Sequence, residues 1–311
     1  MKIVFFGTPQ FSAPFLEALH EDAEISVLAV VSQPDKPAGR GHELKPTATK
    51  QFALNNDIEV YQPKSLKRKE VQEKLASYEA DAFVVVAYGK IIPQTALDIP
   101  AFGCVNVHPS LLPLYRGPSP MQWALMEGDE KTGISIMKLD AGMDTGPILK
   151  QIEFALEKEE TYLTLQSKVH TKGAPLLIET LKGYLAEKIE PVVQDDERAT
   201  LTRLLTKEDG HLDWSQTSEA LFARYRAFMP WPGVWSVWNR SGQEMRIKWL
   251  DMKISDKSPA PGVVMVDEGK IIIGTETTGL EIIKLQVQGK PKMDAKTFLN
   301  GYQDFEGTTL N

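Results

Sequence analysis

Short apolar runs rich in β-branched residues alternate with helical patterns through the first half of the chain. This alternation restricts the fold more than any other feature of the sequence. Lys2–Phe6, Ser26–Val31, Glu59–Tyr61, Ala82–Ala87 and Gly103–Val107 read as strands, and Phe11–Leu19, Thr47–Asn55 and Lys67–Tyr78 read as helices. The run Ala-Phe-Val-Val-Val-Ala at 82–87 has no polar alternation, so it predicts a central strand buried on both faces. Strands alternating with helices predict an α/β fold with a Rossmann-like, parallel-type sheet covered on both sides. Gly133–Leu139 and Ile148–Phe154 add later strands, and Thr161–Ala186 a long amphipathic helix. Glu190–Thr206 is polar throughout and reads as a linker. Beyond it, Thr217–Phe228 is helical. The runs Trp235–Asn239, Met245–Lys253, Gly262–Val266, Lys270–Gly274 and Leu280–Val287 then predict a smaller, OB-like β-barrel. The expected organisation is a domain over 1–189, a linker over 190–206 and a second domain over 207–311.

A chain of 311 residues with 42 % hydrophobic residues has apolar surface enough for two cores. The net charge of −7 argues against a globally basic nucleic-acid binder. It leaves room for local patches, one holding Lys36, Arg40, Lys45 and Lys50, the other Lys284, Lys290, Lys292 and Lys296. The single cysteine, Cys104, cannot form an intramolecular disulfide, which fits a reducing compartment; in an apolar run it reads as a small buried hydrophobe. The apolar N-terminal run ends at Gly7, too short for a signal peptide, and no stretch approaches a membrane span, so a cytoplasmic protein is expected. The His, Cys and acidic residues show no metal-ligand spacing, and no metal is expected.

Gly7-Thr8-Pro9 lies where a Rossmann protein places its phosphate-binding turn, but the Gly-x-Gly-x-x-Gly pattern is missing. Asn106 and His108 stand two apart at the end of a strand, so their side chains share one face at the carboxyl edge of the sheet. That pair suits either a site or a hydrogen-bonded core. It opens into the rigid stretch Ser110–Pro120, with Pro113, Gly117, Pro118 and Pro120. A second loop, Asp140–Pro147, offers Asp140 and Asp144 as acids, or as caps of their own turn. Pro34–Pro46 is a Gly/Pro-rich loop of a length that usually carries function. A Ser–His–Asp hydrolase is disfavoured because no Gly-x-Ser-x-Gly elbow occurs.

Asn106-x-His108, Ser110-Leu111-Leu112-Pro113, Tyr115-Arg116-Gly117 and the loop ending Met143-Asp144-Thr145-Gly146 together resemble the folate-dependent formyltransferase family. The likeness runs over nearly the whole chain. It includes Gln33–Gly41, Lys207-Glu208-Asp209-Gly210, Asp213-Trp214 and Arg226–Gly233. The resemblance implies a catalytic set of Asn106, His108 and Asp144. His108 is followed by Pro109, where some members have glycine; the three positions are intact. It implies 10-formyltetrahydrofolate as co-substrate, in a slot formed by Val86, Ala87, Tyr88 and Gly89 opposite Ser110, Leu111, Leu112 and Pro113. It implies transfer of the formyl group to the α-amine of initiator methionyl-tRNA, with Arg40, Lys36, Lys284, Lys290 and Lys292 meeting the tRNA. In such a reaction Asn106 and His108 would donate to the oxyanion and Asp144 would accept the amine's proton. A monomer is the default. The rival readings are another formyltransferase acting on a nucleotide sugar, a formyltetrahydrofolate hydrolase, and a non-catalytic RNA-binding protein.

Overall fold

Seven strands form the sheet of the first unit: β1 (Lys2–Gly7), β2 (Ser26–Val31), β5 (Glu59–Tyr61), β6 (Ala82–Val86), β7 (Cys104–His108), β8 (Lys131–Lys138) and β9 (Ile148–Ala155). Their order is β5-β2-β1-β6-β7-β8-β9. The first five are mutually parallel, as the alternation predicts, and β7–β8 and β8–β9 pair antiparallel. The short connection over 139–147 between β8 and β9 is of a kind that only antiparallel neighbours permit. Two strand ends differ from expectation for a backbone reason. Ala87 takes φ +48° and ends β6 at Val86, and Gly103, at φ +72°, delays β7 until Cys104 so that it runs on to His108.

The computed structural model describes residues 1–38 and 43–311 and resolves into two compact units. The first comprises Met1–Pro120, Lys131–Ala155 and Leu165–Thr202; the second comprises Met121–Glu130, Leu156–Thr164 and Arg203–Asn311. Inside the Gly/Pro-rich loop, where composition points to irregular chain, β3 (Lys36–Ala38) and β4 (Glu43–Lys45) pair as an antiparallel ladder. Helices α1 (Ala13–Glu21), α2 (Ala48–Asn55), α3 (Lys69–Ala76) and α4 (Gln94–Leu97) connect the parallel strands, and α5 (Pro120–Met126) and the long α6 (Tyr162–Leu185) follow. Val4, Phe6, Ala29, Val31, Phe83, Val85 and Tyr88 pack together in one core cluster. Each large apolar side chain so buried contributes about 1.5–3 kcal/mol.

The second unit contains α7 (Ser218–Phe228) and a sheet of β10 (Val234–Arg240), β11 (Gln243–Ser255), β12 (Val264–Asp267), β13 (Lys270–Gly274), β14 (Gly279–Val287) and β15 (Met293–Asp294). The path is β10-β11-β14-β13-β12, antiparallel throughout, with β15 on β14 and α8 (Ala295–Gly301) following it. The chain end ties the two edge strands together. Asn311 exchanges backbone bonds with Val237 of β10, and Val264 of β12 donates to the Thr308 carbonyl. The tail thus completes the barrel-like sheet and satisfies edges that would otherwise be open.

Candidate active site

The carboxyl ends of β1, β6 and β7 lie side by side in the first unit, the position where open α/β sheets bind ligands. Asn106 and His108 leave β7 there, both buried, at 8 % and 4 % exposure. The Nε2 of His108 lies 2.9 Å from the Tyr115 carbonyl. A carbonyl only accepts, so Nε2 carries a proton. Nδ1 faces the Oδ2 of Asp144 at 3.6 Å, an ion pair when the ring is protonated. Both ring nitrogens therefore face protein groups. The side-chain amide of Asn106 makes no hydrogen bond to another described residue, although the residue is buried. An amide in that state is a donor held ready for a partner.

Asp144 takes φ +55°, a left-handed conformation that aspartate tolerates better than most residues. Its Oδ2 accepts the Gly117 N–H at 2.7 Å. Asp140, the other acid of the loop, is used locally: its Oδ1 accepts from the Gly142 N–H and from the Thr145 hydroxyl. Of the two candidate acids, Asp144 is the one brought to His108, and Asp140 caps its own turn.

The stretch 110–119 is tied down along its length. Ser110 Oγ donates to the Leu114 carbonyl, Ser135 Oγ to the Ser110 carbonyl, and Gln151 Nε2 to the Leu112 carbonyl. Residues 194–202, read from sequence as part of a linker, supply the other side. Tyr115 N–H donates to Thr200 Oγ1, Arg116 N–H to the Thr200 carbonyl, and Thr202 N–H to the Arg116 carbonyl. Gln194 joins this to the Asp144 loop. Its Nε2 donates to the carbonyls of Asp144 (2.8 Å) and Gly146 (2.7 Å), while its Oε1 accepts from Arg116 Nε (3.1 Å) and Nη2 (2.9 Å). Sequence reasoning missed Gln194. Its surroundings in the chain are polar and carry no periodicity, and its partners lie some 50 and 78 positions away.

The segment 86–89 alternates buried side chains, Val86 and Tyr88, with exposed positions at Ala87 and Gly89. Its carbonyls are held from beneath: Ser12 Oγ donates to Val86 O, and Thr8 Oγ1 and Gln33 Nε2 donate to Tyr88 O. The Gly7-Thr8-Pro9 turn is thus occupied in shaping this segment. A Cβ at Gly89, whose φ is +77°, would lie 2.6 Å from the Gln33 amide nitrogen. This backbone-lined shelf, beside Asn106 through the pairing of β6 with β7, suits a flat heterocycle rich in donors and acceptors. Of the opposite stretch, Ser110 and Leu112 are buried, and a Cβ at Gly133 would meet Leu111 Cδ2 at 2.3 Å, so Leu111 is packed onto β8. Tyr88 keeps a phenol pushed up to about 12 by burial and has no hydrogen-bond partner for its hydroxyl among the described residues.

Below the Gly/Pro-rich loop, Lys50 Nζ donates to Asp35 Oδ2 (2.6 Å) and Gln62 Oε1 (3.0 Å), and Gln62 Nε2 donates to Asp35 Oδ1 (2.8 Å) and the Gln33 carbonyl (2.8 Å). Lys36 on β3 is exposed; Arg40 lies outside the described residues. In the second unit Lys284, Lys290 and Lys292 are all exposed, with Lys284 paired across the ladder to Asp294. Among the described residues no helix is long and apolar enough to cross a membrane, and no group of His, Cys, Asp or Glu is placed to hold a metal ion. Cys104 is buried and its thiol is pushed up to about 12 by burial, so it is not a nucleophile for this site.

The family model described as formyl transferase matches residues 1–181, more than half of the chain. The chain belongs to the formyl transferase family. The model described as formyl transferase, C-terminal domain, matches residues 204–303. Methionyl-tRNA formyltransferase of Solibacter usitatus (strain Ellin6076) is 40 % identical over 311 residues, covering 100 % of this chain and 98 % of that one. The protein of the same name from Caldicellulosiruptor saccharolyticus is 40 % identical over 315 residues, covering 100 % of both. Among solved structures, the N-formyltransferase of Helicobacter canadensis in complex with folinic acid and dTDP-3-aminofucose superposes with a TM-score of 0.64. At 15 % identity, over 91 % of this chain and 98 % of that one, it shows a shared fold.

Proposed function

We propose that this chain transfers the formyl group of 10-formyltetrahydrofolate to the α-amine of initiator methionyl-tRNA, with Asn106, His108 and Asp144 as the reacting set. The observation that carries the chemistry is the Asn106 amide, without a hydrogen-bond partner among the described residues, on the same strand face as the His108–Asp144 contact. Full-length identity of 40 % to methionyl-tRNA formyltransferases supports the acceptor.

The geometry supports the following roles. The folate, a co-substrate, supplies the formyl group, and the shelf at Val86–Gly89 suits its pterin. As the amine bonds to the formyl carbon, negative charge gathers on the formyl oxygen, and the Asn106 N–H suits donation to it. His108, with Nδ1 facing Asp144, adds to that stabilisation when its ring is protonated. Asp144 accepts the proton that the amine must lose, directly or through water, and that proton passes to the folate nitrogen as its bond to the formyl carbon breaks, so that tetrahydrofolate leaves as the neutral amine. The exposed Lys36, Lys284, Lys290 and Lys292, together with Arg40, suit phosphates of the tRNA. We place the reaction in the cytoplasm, with the chain acting as a monomer.

The test is formyl transfer to charged initiator tRNA, with elongator tRNA, free methionine and a dTDP-amino sugar as controls. His108→Ala and Asp144→Asn are each expected to lower kcat by about 10²–10³. Near-normal turnover in either variant, or preferential transfer to the sugar, would overturn the reading.

A further inference from the structure

We propose that Gln194 is a positioning residue for Asp144, with Arg116 as the post that holds it. This rests on the reading of Asp144 as the proton acceptor. Gln194 and Arg116 are 7 % and 5 % exposed, so this is an interior arrangement rather than a surface contact.

Each part of the network points toward the same loop. The Gln194 amide spends both of its N–H directions on the carbonyls of Asp144 and Gly146. Those carbonyls flank Thr145 and fix the peptide planes at the point where Asp144 takes its left-handed φ. Gly146 is pinned from the other side, since a Cβ there would lie 1.9 Å from the Lys138 carbonyl. The oxygen of Gln194 is fixed by two guanidinium donors of Arg116, so the amide cannot flip without placing N–H against N–H. Arg116 is followed by Gly117, whose N–H meets the Asp144 carboxylate. One side chain therefore sets the backbone of the acid, and its holder sets the group that orients the carboxylate.

An ion pair alone does not account for Arg116. Its carboxylate partner, Asp196, has a side chain that is 80 % exposed, so the bond at 2.7 Å is the solvent-facing end of the network. The buried end is neutral, and a neutral amide between a guanidinium and two carbonyls satisfies all of them without adding charge beside Asp144. Nothing in this network touches the reacting atoms, so its contribution is to geometry.

Two full-chain variants test the inference. Gln194→Met removes donors and acceptor at similar volume. Gln194→Glu keeps an acceptor, now charged, for Arg116 and so retains the fold, but has no N–H for the carbonyls of Asp144 and Gly146. Both are expected to lower kcat by about 10²-fold, with KM for folate and for tRNA within about twofold of the parent. Gln194→Glu is expected to melt close to the parent. Wild-type kcat in Gln194→Glu would show that the tie to Arg116 is all that matters and would overturn the proposal; so would losses that fall on KM instead of kcat. Asp144→Asn, assayed in parallel, separates the two levels. If it loses turnover while the Gln194 variants do not, this inference alone fails; if it keeps full turnover, the role of Asp144 fails and takes this inference with it.

Discussion

Gly117→Ala perturbs the site without touching a functional side chain. Gly117 sits at φ +107°, outside the region open to residues with a Cβ, and a Cβ there would lie 2.7 Å from the Thr202 carbonyl oxygen and 2.9 Å from Thr202 Oγ1. The first of these atoms belongs to backbone that itself bonds to Arg116, so it cannot swing aside as a flexible side chain would. Backbone strain of about 1–3 kcal/mol, with some additional cost for separating the two segments, gives a destabilisation of about 2–4 kcal/mol. In a unit of this size that lowers Tm by about 5–15 °C. The displaced N–H also releases the Asp144 carboxylate, a charge-assisted bond of about 1.5–3 kcal/mol, so kcat is expected to fall about 10–100-fold. Thermal unfolding by circular dichroism and steady-state formyl transfer measure the two effects separately. KM for folate should hold, because the Val86–Gly89 shelf is built by Ser12, Thr8 and Gln33. A variant that melts within a degree or so of the parent and turns over normally would refute the reasoning, since both the clash and the bond would then be immaterial.

Two further outcomes are expected. Hydrogen bonds from Gln62 and then Lys50 hold the Asp35 carboxyl below the usual aspartate range. A depressed native pKa contributes stability that is present above the unfolded value near about 3.9 and is lost as pH falls through the native value. Lys50→Met is therefore expected to lower Tm at neutral pH, with the difference from the parent closing as pH falls below about 4; a difference that stays constant down to acid pH would exclude this account. Replacing Lys284, Lys290 and Lys292 by alanine is expected to raise KM for tRNA and to flatten its salt dependence, with KM for folate unchanged. The log–log slope should fall by up to about 0.9 for each phosphate no longer neutralised. An unaltered slope would return these lysines to ordinary surface.

How much of this was legible in sequence follows from the range of the interactions. Strands β1, β2, β6 and β7 were readable because their burial is written into continuous apolar runs. The shared face of Asn106 and His108 was readable because a strand has period two. Asp144 was visible as an acid in a loop after a strand, but its choice over Asp140 came only from the family resemblance and not from the residue pattern. That choice depends on the φ of one residue and on a bond from Gly117 across the fold. The antiparallel β8 and β9 were visible as strands but not in direction, since apolar pattern carries no polarity. The pairing of β3 with β4 was hidden by prolines and glycines that usually mark irregular chain. Gln194, Thr200 and Thr202 lie in a stretch whose polar composition suits solvent, and only partners from β7's loop and the β8–β9 loop reveal that Gln194 and Thr202 are buried.

The tie between residues 194–202 and the Asp144 loop has a consequence for where this enzyme can be cut and joined. The catalytic family model stops at residue 181, and a fusion made at that seam would carry Asn106, His108 and Asp144 yet leave behind the glutamine that holds the last of them. The first unit runs on to Thr202. A chimaera that exchanges the chain beyond the first unit would need its crossover after that threonine, so that Gln194 and Thr202 stay with the loops they bond to.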